Sequence, residues 1–464
     1  MSPSRIGCAS FLVLASAVAA GLAAARAGDS MQPALRLGGP ATVEADGPNA
    51  FSLPAPGLSR EDRRSFSVGN SFFRDNWVAA PASAEGRDGL GPHFSANSCS
   101  ACHPEDGRGL PPLPDVGRGR GSVLFASPRG ADGQPHPIYG AQLQDQAVAG
   151  VRPEVSIVAR PRAEDPRPDD AARLALERFD VVLADAAYGP LGELRLSLRV
   201  GPQIIGLGLL EAVPDEAIHA LADPDDRDGD GISGRVHEVV GDDGAARVGR
   251  FGWKASQPTL EGQVAAALHG DMGLTTNRHP DENHSAAQLD ARQAPSGGGP
   301  EVDDHKVARL AHYCRVLAVP AQRVPEDPVR AAEVARGRAV FDAVGCGACH
   351  APTLRTGGTS PIEAFRSVEF HPFTDLLLHD MGDGLADDRR DGAATGREWR
   401  TPPLWGIGLL ETVNGHTRLL HDGRARSIEE AVLWHGGEAE SSRKRFGALP
   451  PADRAALVAF LRSL

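Results

Sequence analysis

The sequence predicts a mainly α-helical fold of two related halves with long loops, and three observations predict it. The pattern Cys-x-x-Cys-His occurs twice, as Cys99-Ser100-Ala101-Cys102-His103 and as Cys346-Gly347-Ala348-Cys349-His350. A stretch of helical period precedes each copy: Phe66, Gly69, Phe72, Phe73 and Trp77 before the first, and 331–341 (AAEVARGRAVF) before the second. The run Ile204-Ile205-Gly206-Leu207-Gly208-Leu209-Leu210-Glu211-Ala212-Val213 recurs as Leu404-Trp405-Gly406-Ile407-Gly408-Leu409-Leu410-Glu411-Thr412-Val413, at a constant offset of 200. Such a long-period repeat marks an internal duplication.

Cys-x-x-Cys-His reads as a site of covalent c-type haem attachment. The two thiols add across the porphyrin vinyl groups, and the histidine that follows reaches the iron from the proximal side. A zinc ribbon of four thiolates would need two distant motifs to converge and would leave a histidine idle after each. The reading is therefore two haem c groups, with Cys99, Cys102, Cys346 and Cys349 as attachment points and His103 and His350 as iron ligands. A helix running into the motif is how a cytochrome c domain begins, so each half reads as one such domain. Aromatic residues make up only 5% of the chain, which suits haem filling much of each core.

Taken in order, the chain opens with a basic start, an apolar Ala/Val/Leu run and Ala25-Arg26-Ala27. These are the parts of a secretory signal peptide, here 1–27, and imply a periplasmic protein. Cleavage would remove Arg5 and Arg26 and take the net charge from -13 to -15. No later apolar run approaches membrane-spanning length. An acidic balance argues against nucleic acid, which calls for a basic face, and is compatible with a small basic redox protein as electron donor or acceptor.

Residues 28–58 carry Pro, Gly and Ala with little periodicity and read as an extended N-terminal arm. The first haem domain is placed at 59–325 and the second at 326–464, with the Pro-rich stretch 315–328 between them. The haem motifs lie further apart than the other repeat, so the first half carries an insertion. Downstream, 253–260 (WKASQPTL) matches 421–428 (HDGRARSI), and a helix follows each.

Leu378-His379-Asp380-Met381-Gly382, with Glu398-Trp399-Arg400-Thr401-Pro402-Pro403-Leu404-Trp405-Gly406, resembles the di-haem oxidoreductase family, often labelled "thiol oxidoreductase". Phe251-Gly252-Trp253-Lys254 and Trp434-His435-Gly436-Gly437-Glu438-Ala439 fit the same family, and the likeness runs from about Asn70 onward. That family lies within the bacterial di-haem cytochrome c peroxidase superfamily. The resemblance implies one reactive haem and one electron-relaying haem.

It also implies roles for particular residues. His435 lies where the superfamily places the distal methionine of its second haem, with Met381 as a rival; the plain alternative is a surface histidine at a helix end. Asp271 stands where a Glu-Met pair serves the reactive haem, and a carboxylate there can move a proton of peroxide. Equally, Asp271 reads as a helix-terminal turn residue, with His269 or Met272 closing the iron instead. Trp253 resembles the tryptophan that carries electrons between the haems, with His421 as its counterpart, although tryptophan is commonly core.

Three further features complete the reading. Asp226, Asp228 and Asp230, followed by Gly231, match the first half of an EF-hand loop within 223–234, but the twelfth position is His237. An isolated calcium turn and a solvated acidic turn are both consistent with this. Arg118 and Arg120 could pair with haem propionates or belong to a plain loop. Cys314 reads as a buried thiol on a helix. The function expected is a peroxidase-like di-haem oxidoreductase acting on peroxide or another small substrate. The competing expectation is a non-catalytic di-haem electron carrier with both irons fully ligated.

Overall fold

The computed structural model describes residues 35–84, 86–115, 121–131, 133–164, 174–241, 244–387 and 389–464. The predicted signal peptide, and the candidate pair Arg118 and Arg120, lie outside the described residues.

The helices begin where their capping residues dictate. α1 (Arg60–Arg74) opens on a capping box in which the Ser59 side chain accepts from Asp62 N–H and Asp62 answers at the Ser59 backbone. Thr259 caps α2 (Leu260–Met272) and Asp303 caps α3 (Asp304–Arg315), each accepting from the third residue on. Asp327 caps α4 (Pro328–Ala343), whose first position is a proline with no amide to leave unpaired. Ser427 caps α5 (Ile428–Trp434). α6 (Glu440–Ala448) and α7 (Pro451–Ser463) close the chain.

Two helix crossings carry the halves. α1 packs on α3, where Phe66 and Phe73 each lie 5.0 Å from the Tyr313 ring. α4 packs on α7, where Phe341 meets Phe460 edge-on at 5.6 Å. Both crossings are close enough to need glycine. A Cβ on Gly69 would stand 2.3 Å from the Arg309 carbonyl oxygen, and one on Gly337 1.9 Å from that of Ala456. The ten-residue repeat also adopts matching conformations. Gly206 and Gly406 take φ of +67° and +77°, and Gly208 and Gly408 press against the carbonyls of Arg315 and Arg462 at the ends of α3 and α7.

The mainly α expectation is overturned by the insertion: the fold is 30% helix and 18% strand. β1 (Ser122–Pro128) is the centre of an antiparallel sheet, flanked by β2 (Gln142–Leu143) and by β5 (Leu194–Val200). β3 (Ser156–Glu164) and β4 (Leu176–Ala184) form an antiparallel pair. Leu124, Leu143, Ile157 and Leu198 bury one face of these strands as a core of their own. The physical reason is the period: LRLSLRV over 194–200 alternates apolar and polar residues, which suits a strand with one buried face and no helix. In the second half, β6 (Leu378–Asp380) pairs with β7 (Glu398–Arg400), setting His379 opposite Trp399.

The described part of the arm is built into the core. Leu37 and Phe51 are fully buried, and Thr42–Val43 pairs in parallel with Val319–Pro320. The Leu37 carbonyl accepts from the His371 amide. Val316, Leu317 and Val319, in the stretch between the halves, are likewise buried. The largest apolar cluster runs from Phe51 through Ile205 and Trp253 to Trp405 and Phe460, so it takes in residues from both halves. No helix among the described residues is long and apolar enough to cross a membrane.

Candidate active site

Both Cys-x-x-Cys-His motifs open into one cavity of about 620 Å³. The first motif enters on the one-turn helix Cys99–Cys102, capped by Ser98, and the second on the turn Cys346–Ala348 at the end of α4. His103 Nδ1 lies 2.7 Å from the Pro202 carbonyl and His350 Nδ1 2.9 Å from that of Phe373. Donation to a carbonyl fixes the tautomer, so the lone pair sits on Nε2, as a metal-binding imidazole requires. Burial keeps both rings neutral, His350 down to about 4.

His435 and Met381 also line this cavity. His435 follows the last turn of α5 and its Nδ1 lies 2.7 Å from the Ala431 carbonyl. It is near enough to His350 for a positive charge on one to disfavour charge on the other. His379, between them in sequence, does not line up as a further free ligand. It is buried between Asp375, 2.8 Å from Nε2, and Glu438, 2.6 Å from Nδ1, with Cys349 Sγ 3.6 Å away. The two carboxylates hold its imidazole charged well above the usual range.

At the first motif, α2 ends on Gly273 at φ +64°, which leaves Asp271 in its last turn facing the cavity. Burial pushes the carboxyl up to about 6, and a hydrogen bond from Gln142 works against that rise. Met272 and His269, the rival ligands, point elsewhere. Met272 is buried among Phe73, Trp77 and Leu268, while His269 stacks on His279 and reaches the Asp281 carbonyl.

Trp253 stands on the cavity wall, and its Nε1 donates to the Val200 carbonyl at 2.8 Å. The Val200 amide donates to the His421 carbonyl, so β5 bridges Trp253 and His421. His421 stacks on Trp399 at 3.7 Å and 10°. The chain thus lays Trp253, His421 and Trp399 along one wall, with Arg108 over Trp253 and Lys254 over Trp399.

The residues fit haem by their unmet bonds. Several arginines on the cavity wall hold buried nitrogens with no hydrogen-bond partner: Nε of Arg108, Nη2 of Arg199, Nε of Arg250, and both Nε and Nη1 of Arg389. Arg199 already pairs with Asp391 and Arg250 with Asp215, so the buried charge that a carboxylate reaching the cavity would chiefly satisfy is that of Arg108 and Arg389. These guanidiniums are the part of the site that sequence reasoning missed; they are scattered over the chain and no spacing announces them.

The model of the family described as "Di-haem oxidoreductase, putative peroxidase" matches residues 33–126 and 189–464. The chain belongs to the di-haem oxidoreductase family. Haem cofactors come with that membership. No curated protein matches the sequence. Among solved structures, hydrazine synthase from Kuenenia stuttgartiensis, pressurised with 20 bar xenon, aligns over 100% of both chains at 14% identity, with a TM-score of 0.35. A likeness that slight carries no argument about this oxidoreductase.

Two remaining sequence features take definite places. A carboxylate oxygen from each of Asp226, Asp228 and Asp230 lies within 4.8 Å of the other two, at the surface. They accept from the amides of Gly231, Asp230 and Ile232 in turn, so the loop holds its shape through backbone bonds. His237 is buried with Nδ1 2.6 Å from the Lys254 carbonyl, away from the three carboxylates. Cys314 is buried in the α1–α3 core.

Behind Asp271 lies a buried acid–base pair. Glu154 accepts from the Gln144 amide at 2.8 Å and from the Gln288 side chain, and stands 3.8 Å from His93 Nδ1. Burial pushes Glu154 up to about 8 and His93 down to about 4. A carboxyl that holds its proton more tightly in the fold than in the unfolded chain loses stability as pH rises from 4.5 to about 8. His93, resisting its proton, contributes the opposite slope between about 4 and 6.5. Of this pair, only the glutamate contributes a slope above 6.5. Glu154→Gln is therefore expected to flatten the loss of stability between pH 6.5 and 8, which denaturant titration at the two pH values would show.

Proposed function

We propose that this chain is an exported, periplasmic di-haem c-type oxidoreductase of peroxidase-like activity. In this reading haem joined to Cys99 and Cys102 is the reactive group, and haem joined to Cys346 and Cys349 relays electrons from a small redox protein. The observation that carries it is the single cavity in which both motifs meet, with Asp271 on its wall near the first.

His103 and His350 would hold the irons, His435 would close the second, and Arg108 and Arg389 would take the propionates. When bound, haem supplies an iron centre that exchanges electrons with small oxidants. The chain supplies the rest. Asp271, with its carboxyl near 6, is poised both to take a proton from a peroxide in the cavity and to return it to the departing oxygen. Neither Met272 nor His269 reaches the cavity, so the face beside Asp271 is left for substrate. The wall of Trp253, His421 and Trp399 gives electrons an aromatic path across it.

Low-temperature electron spin resonance of the oxidised, haem-loaded protein tests this. One high-spin and one low-spin signal are expected, with His435→Ala converting the second to high spin. Two low-spin signals in the wild type would remove the reactive site. Pigment extracted by acidified acetone would remove the covalent attachment.

A further inference from the structure

We propose that Gln142 and Gln144 of the insertion are positioning residues for Asp271, holding its carboxylate so that one oxygen is kept for the substrate. The proposal rests on the reading of Asp271 as the proton-moving group. Gln142 Nε2 lies 3.0 Å from Asp271 Oδ1 and 3.3 Å from Ser95 Oγ. Ser95 Oγ donates to Gln144 Oε1 at 2.5 Å, and its amide donates to the Asp271 carbonyl at 2.8 Å. Gln144 in turn donates through Nε2 to the Gly270 carbonyl, and its own amide is held by Glu154.

The two glutamines therefore grip both the side chain and the backbone of the last turn of α2. The bond from Gln142 engages Oδ1; among the described residues no hydrogen bond engages Oδ2. A side-chain amide suits this task, because it donates to a carboxylate without titrating in the working range. It orients the acid and brings no proton of its own.

The family match does not cover this contact. The family match stops at 126 and resumes at 189, so Gln142, Gln144 and Glu154 all stand in the stretch it leaves out. The insertion reaches into the site through β2, whose pairing with β1 fixes Leu143 opposite Leu124 and so turns Gln142 toward the cavity. The other titratable groups facing Asp271 are the thiols of Cys99 and Cys102, with Asp145 beyond Cys102. Burial keeps both thiols protonated, and haem attachment would remove them as acids.

The test uses the haem-loaded protein and two readouts. One is the infrared band of the protonated Asp271 carboxyl, identified by its loss in Asp271→Asn and followed against pH. The other is the pH profile of the peroxide reaction. Gln142→Met keeps the volume and removes the donor, and is expected to move both midpoints up by about one unit. Ser95→Ala, which frees Gln142 from its other anchor, is expected to move them the same way by less. Midpoints that stay in place in both variants overturn the positioning role and leave Asp271 standing. A peroxide rate untouched by Asp271→Asn overturns the proposed function itself.

Discussion

Asp271→Asn is expected to slow the reaction with hydrogen peroxide by about 10²–10⁴-fold, the usual worth of one positioned acid–base group. The substitution keeps the shape and the bond to Gln142 while removing a group that can gain or lose a proton. The pH dependence separates this from a general disturbance. In the wild type the carboxylate form appears as pH climbs through about 6, so the rate should rise across that range. The asparagine variant should show a flat profile there. Rapid-mixing measurements on the haem-loaded protein, from about pH 5 to 8, would read both effects. Electron exchange with a small redox protein, which does not require the carboxyl, should persist in the variant.

Gly337→Val is expected to prevent stable folding of the second half. Any Cβ at this position would stand 1.9 Å from the Ala456 carbonyl oxygen and 2.7 Å from Phe460 Cβ. The first obstacle is backbone and cannot rotate away, so α4 and α7 would have to part. Overpacking costs about 1–3 kcal/mol when the core can give, and more where it cannot. The higher helix propensity of a non-glycine residue, worth about 0.5–1 kcal/mol, is too small to offset this. Gly262 in α2 is the control. There the nearest atoms are the ends of two side chains, Gln257 Oε1 at 2.9 Å and Thr259 Oγ1 at 3.2 Å. Gly262→Ala should leave thermal unfolding near the wild type, and Gly337→Val should lower it sharply or abolish soluble protein.

The sequence made some of this legible and hid the rest for physical reasons. Helix starts have local signals: Ser59, Thr259, Asp303, Asp327 and Ser427 stand where caps are needed, and a helix follows each. The ligand motifs are likewise local, since Cys-x-x-Cys-His brings its own spacing. The strands were hidden by length and by context. LRLSLRV shows its period plainly, but β2 is two residues long and no pattern of two can be read. The contact from Gln142 to Asp271 spans 129 residues and depends on a sheet register. The arginines around the cavity are further apart still. Met272 and His269 could be set aside only once α2 had a direction in space.

Cys102 is only 7% exposed, on the cavity wall and hemmed in by the backbone at Gly109, Gly121 and Gly201. A porphyrin cannot be delivered to a sulfur shut inside a finished molecule. On the proposed reading, then, cofactor loading must come before the segments around Cys102 pack, while the newly exported chain is still open. Biogenesis would have a fixed order: ligation at the first motif, then closure of the chain around it. A cell that lacked the ligation machinery should accumulate an unclosed, protease-sensitive chain rather than an empty but folded one.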